Sequence, residues 1–171
     1  MKKIIPTLAL LIILDISVYS QIVYSRKVET GYLKFLGTTV QVDPGPTWRG
    51  YNLDKKQNGI DLNLINGIKL KEKLFLGLGF GYLNFEGING FSIFSDLEFL
   101  TLKTKLTPLL NLKIGYNHIW NQYENGKGSA TVELGTGLAY KLKEKLNIYV
   151  QFGFLMTQQS LLMPIRIGVN F

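Results

Sequence analysis

From Gly59 to the end of the chain, apolar residues alternate with polar or small ones in seven successive stretches. Ile60, Leu62, Leu64, Ile68 and Leu70 oppose Asp61, Asn63, Ile65, Gly67 and Lys69. After Lys71-Glu72-Lys73, Leu74, Leu76, Leu78, Phe80 and Tyr82 oppose Phe75, Gly77, Gly79, Gly81 and Leu83. The same period runs through Phe91–Phe99, Pro108–Trp120, Ala130–Leu142, Leu146–Met156 and Met163–Phe171. A period of two is that of a β-strand with one apolar face. The turns between them fall at Gly87–Gly90, Lys103–Leu106, Lys143–Lys145 and Gln158–Ser160, with a polar loop at Asn121–Gly128. Gly31–Val42 is an eighth strand, neither of whose faces is cleanly apolar, and Gln21–Thr30 reads as a loose lead-in. Asp43–Asn58, with Pro44, Gly45, Pro46 and Gly50, is the longest connection. Short links make neighbours in sequence antiparallel neighbours in space. The expected architecture is all-β and up-and-down, with eight antiparallel strands.

What covers the apolar faces decides between a soluble and a membrane protein. An eight-stranded barrel has an interior just wide enough for its side chains. Each strand supplies about five large apolar residues, too many for that space, so they are placed outside, against lipid. The opposite face carries small residues such as Gly77, Gly79, Gly81, Gly135, Gly137 and Gly153. It also carries Asp61, Asp96, Glu98 and Glu133 against Lys69, Lys113, Lys141 and Arg166, a balanced set suited to an ion-paired lumen. Asp96, Glu98, Lys113 and Arg166 lie at similar depth and are expected to cluster, with Glu133 beside them. Only a closed barrel satisfies every backbone group of a sheet in a bilayer, so the eighth strand should pair with the first. A soluble lipocalin-like carrier, with the polar face outward, is the competing arrangement.

Composition changes this picture little. Hydrophobic residues make up 46% of the 171, unremarkable for a globular chain, as alternation averages out. The 171 residues fit one domain. There is no cysteine, and the net charge of +7 is spread along the chain rather than gathered among stacking aromatics, so nucleic acid is not an expected partner. Residues 1–20 read as a signal peptide: Lys2 and Lys3, an apolar run Ile4–Leu14, then Val18 and Ser20 before a cut ahead of Gln21. The run is shorter than the roughly 20 residues of a spanning helix. Residues 21–171 form the barrel domain.

An exported chain with an even strand number has both termini in the periplasm. The turns at Lys71, Lys103 and Lys143 then face the periplasm, and Asp43–Asn58 and Asn121–Gly128 face outside. Tyr82, Tyr116 and Trp120 fall at the outer interface, and Tyr140 and Phe171 at the inner one. The signal peptide, the eight alternating strands and the closing Ile165-Arg-Ile-Gly-Val-Asn-Phe171 resemble the small bacterial outer-membrane β-barrel proteins of the OmpA/OmpX-like kind. The resemblance covers Gly31 to Phe171. It implies a bacterial outer-membrane location, outer-membrane lipid as surroundings, and recognition of Ile165, Ile167, Val169 and Phe171 by the barrel assembly machinery. It leaves the biochemical role open, because such barrels host adhesins, enzymes and structural members.

Candidate chemistry is sparse. His118 is the only histidine, on the lipid-facing parity near the outer rim. That position resembles the catalytic one of outer-membrane lipid A deacylases, whose pattern has a serine two residues later, where Trp120 stands here. One histidine without cysteine offers no metal-ligand spacing, and Gly77-x-Gly79-x-Gly81 lacks the helix a phosphate loop needs. No cofactor is implied. In the first loop, Trp48, Arg49 and Tyr51 could stack on a sugar or lipid headgroup, or anchor the loop to the rim. The expected function is non-enzymatic: a structural, adhesive or binding role carried by the outer loops of a monomer whose external ligand the sequence does not name. A lipid-modifying enzyme and a soluble carrier are the alternatives.

Overall fold

The structure is a computed structural model that describes residues 22–39, 57–102, 104–120, 127–143 and 146–171. The residues expected to form the signal peptide, and the loop residues Trp48, Arg49 and Tyr51, lie outside these. Eight strands close into a barrel in sequence order: β1 (Ile22–Thr38), β2 (Gly59–Leu70), β3 (Leu74–Phe85), β4 (Ile88–Leu100), β5 (Leu106–Ile119), β6 (Lys127–Lys143), β7 (Leu146–Thr157) and β8 (Ser160–Asn170). All pairings are antiparallel, and β1 meets β8 from Lys27↔Asn170 to Thr38↔Ser160, so no strand edge is left unpaired. A bulge between Phe35 and Gly37 interrupts that seam.

The first strand differs from its expected bounds. It begins at Ile22 rather than Gly31 and pairs with β2 from Ile22↔Leu70 onward. The segment expected as a lead-in is strand because β2 and β8 each offer it a row of backbone partners. Its inward positions, Ser25, Lys27 and Glu29, are polar, so alternation exists there without a strong apolar face. Two connections are also tighter than expected. The β3–β4 hairpin turns on Glu86-Gly87 and the β7–β8 hairpin on Gln158-Gln159, in each case two residues with positive φ. That backbone matches the right-handed twist of the flanking strands.

Glycine on the inward face makes room for aromatic rings. A Cβ on Gly79 would lie 2.4 Å from the Phe94 ring, and one on Gly168 would lie 2.4 Å from Tyr149. Four large rings (Phe75, Phe85, Phe94 and Tyr149) therefore fit in an interior that strands of larger residues would overfill.

Candidate functional site

The interior contains a network of buried charge. Lys27 on β1 is 1% exposed, and its Nζ donates to Asp96 Oδ2 and Glu98 Oε2 on β4, both at 2.7 Å. Its ammonium also lies 4.9 Å from the Phe75 ring centroid and 5.0 Å from that of Tyr149. Two residues along β1, Glu29 accepts from Lys113 on β5, from Tyr149 Oη at 2.7 Å and from Asn63 Nδ2 at 3.0 Å. Arg166 on β8 grips Glu133 on β6 with two parallel bonds, from Nε at 2.9 Å and Nη2 at 2.6 Å, while Nη1 donates to Asp61 on β2. The groups link further: Arg166 Nε is 3.9 Å from Glu29, and Lys113 Nζ is 3.9 Å from Glu133. Strands on opposite sides of the barrel are thereby tied through its axis.

The four residues expected to cluster all point inward and are buried, but they do not pair with one another. Asp96 and Glu98 are joined to Lys27, Lys113 to Glu29, and Arg166 to Asp61 and Glu133. The two residues that hold the network together, Lys27 and Glu29, were hidden in the segment read as a lead-in. The signal for them was parity: Ser25, Lys27, Glu29 and Gly31 fall on the same face as Leu33. Lys69 and Lys141, expected within the balanced set, stand instead at the barrel mouth, where Lys69 reaches Asn170 Oδ1 at 3.4 Å.

Beyond the network, toward the rim carrying the β1–β2, β3–β4, β5–β6 and β7–β8 connections, the interior is apolar. Leu33, Leu83, Phe85, Ile119, Leu155 and Leu162 pack into a plug with Phe35 and Ile88 against it. Between plug and network is a void of only about 30 Å³, lined in part by Asp61, Asn63 and Glu133. The other rim carries both ends of the described chain and is more open, with a mouth of about 350 Å³ bordered by Ser25, Lys69, Glu72, Lys141 and Asn170.

The outer wall reverses this chemistry. Leu78 is 69% exposed, Leu134 62% and Ile167 58%, whereas Arg166, next to Ile167 in the chain, is 3% exposed. Some thirty large apolar side chains in water would be an aggregation hazard, and in hydrocarbon they are at home. This cross-section excludes the soluble carrier, whose apolar residues would line the cavity. Ile165, Ile167 and Phe171 lie on this wall with Val169 half-buried among them. Near the plugged rim, Phe91 lies between Phe80 (6.1 Å between centroids) and Trp120 (5.6 Å), and His118 stacks on Phe91 at 5.8 Å and meets Trp120 edge-on at 5.0 Å. Tyr82 Oη donates to Asn89 Oδ1 at 2.6 Å in the same band. Among the described residues no group of three or more His, Cys, Asp or Glu side chains could hold a metal ion.

No protein-family model matches the chain, and no curated protein sequence is similar to it. Solved structures are similar in fold. Neisserial surface protein A is 9% identical, with a TM-score of 0.62 over 86% of this chain and 95% of that one. A de novo designed transmembrane β-barrel is 19% identical, with a TM-score of 0.48 over 86% and 92%. Ail, the attachment invasion locus protein of Yersinia pestis, is 14% identical, with a TM-score of 0.43 over 88% and 98%. The first of these, at full barrel length, carries the comparison, and the closed order β1 to β8 agrees with it. The chain has the fold of the small eight-stranded outer-membrane β-barrels.

Proposed function

We propose that this protein is an integral protein of a bacterial outer membrane, exported by a cleaved signal peptide, and that it serves a non-enzymatic structural, adhesive or binding role through its outer loops. The observation that carries the reading is the inverted cross-section, with paired charge inside and a predominantly apolar wall outside, which is stable only in a bilayer. In this reading the rim bearing both ends of the described chain faces the periplasm and the plugged rim faces outward, as the longer connections do. Ile165, Ile167, Val169 and Phe171 then serve as the assembly signal, and Trp48, Arg49 and Tyr51 are the candidate contacts of the longest outer loop. His118 is occupied by Phe91 and Trp120 in an aromatic band, which favours an interfacial role over a catalytic one. The test is fractionation of the native chain with gel mobility before and after boiling. Retention in the membrane pellet through a carbonate wash, with a heat-dependent shift in mobility, is the expected result. Complete extraction by carbonate would sink the proposal.

A further inference from the structure

The two rims differ in charge. On the rim with the ends of the described chain, Arg26, Lys71, Lys73, Lys105 and Lys143 stand around the mouth, and the single acidic side chain there among the described residues is Glu72, at the mouth's edge. None of these five cations pairs with a described carboxylate, because the ion pairs between described residues lie inside the barrel. The plugged rim has Lys34 against Glu86 and no comparable excess among the described side chains. Five cations on one ring with one acidic side chain beside them among the described residues repel each other, and such a ring attracts anions.

Where Arg26 sits narrows the choice of counter-charge. It lies on the outer wall rather than at a turn tip. Its Nε donates to Tyr24 Oη at 2.9 Å, and Tyr24 Oη in turn donates to Asn66 Oδ1 at 2.9 Å, three polar groups on an otherwise apolar wall. Asn66 is also one end of an apolar groove of about 490 Å³ that runs past Ile68, Leu76, Leu78, Ser95 and Leu97. The small Ser95 leaves the depression between its larger neighbours. A cationic donor set continuous with an apolar groove suits a molecule with an anionic head and a hydrocarbon tail. A wall polymer or an acidic peptide in the periplasm has no means of filling the groove.

We infer that this rim is a binding surface for anionic phospholipid, with the phosphate at Arg26, Tyr24 and Asn66, an acyl chain in the adjoining groove, and further headgroups on Lys71, Lys105 and Lys143. The inference rests on the transmembrane reading above and adds a preference that the reading does not require. Polybasic rims attract acidic lipid by a long-range term that salt weakens.

The test uses the full chain folded in mixed phosphatidylcholine and phosphatidylglycerol, with bound lipid counted by native mass spectrometry. The expected result is about tenfold enrichment of phosphatidylglycerol over its bulk share at low salt, falling at high salt. Replacing the four exposed cations together (Arg26→Gln, Lys71→Gln, Lys105→Gln, Lys143→Gln) should bring the ratio to parity, while Arg26→Lys keeps most of it. Parity for the wild type overturns the inference, as does an enrichment that the fourfold variant retains. Co-sedimentation with cell-wall sacculi without lipid preference assigns the rim to the wall polymer and also overturns it. Failure to enter phosphatidylcholine bilayers at all would sink the transmembrane reading itself, whereas entry without preference sinks only the lipid site.

Discussion

At the scale of single residues, the burial of Lys27 is the most consequential choice in the chain. Its ammonium is the only cation bonded to Asp96 and Glu98 among the described residues, and all three are buried. Removing one partner of a buried pair leaves uncompensated charge, which costs about 3–5 kcal/mol. Lys27→Met should therefore lower stability by that amount in urea titrations of the vesicle-folded protein. Adding Asp96→Asn and Glu98→Gln should return more than half of the loss, since a neutral interior replaces an unpaired one. If the single variant were as stable as the wild type, Lys27 would not hold the network. Gly79 is decided by shape rather than charge. A methyl group there meets the Phe94 ring, so Gly79→Ala should cost about 1–3 kcal/mol by overpacking, read in the same titration.

At the scale of elements, β1 and the tight turns stand out. β1 contributes Lys27 and Glu29 to the lumen and closes the sheet on β8, although its apolar pattern is the weakest of the eight. Long-range pairing overrides a weak local signal, since an unpaired β8 edge in a bilayer would leave a row of unsatisfied backbone groups. The β7–β8 turn is locally unfavourable in a different way. Gln158 and Gln159 both hold positive φ, at 48° and 58°, where side chains with a Cβ are strained. Gln158 is buried and its Nε2 reaches Asn117 Oδ1 at 3.4 Å, but Gln159 Oε1 is buried without a hydrogen-bond partner. Gln159→Gly should then raise stability by about 1 kcal/mol, detected as a higher urea midpoint, because it relieves strain and removes that oxygen. A lower midpoint would show that the Gln159 side chain contributes a contact worth more than the strain.

At the scale of the whole molecule, the barrel is a solid cylinder. The six-residue plug and the ion network leave a void of only about 30 Å³ between them, on the order of a single water. The protein reconstituted in a planar bilayer should therefore give no discrete conductance steps, and stable openings would contradict a sealed interior. The wall is the other global property. Leu134 lies near the middle of β6 with its side chain outward, so Leu134→Arg should cost about 2–4 kcal/mol in a bilayer. A change below 0.5 kcal/mol, the usual range of a substitution on a water-facing surface, would place that face in solvent instead.

Much of this was legible in the residues alone. Alternation fixed seven of eight strands, their antiparallel order and the direction of each face, because a period of two leaves only one assignment once one face is apolar and must be covered. The inward placement of Asp61, Asp96, Glu98, Lys113, Glu133 and Arg166 follows from the same parity. Tertiary structure alone decided who pairs with whom. Parity and depth put Lys113 level with its register partners Asp96 and Glu133, but they do not say which side chain reaches across the lumen, so Lys113 bonds Glu29 and comes only within 3.9 Å of Glu133. It also decided where β1 begins, because Ser25, Lys27 and Glu29 become a strand only when β2 and β8 are there to bind their backbone and the lumen is there to receive their charge.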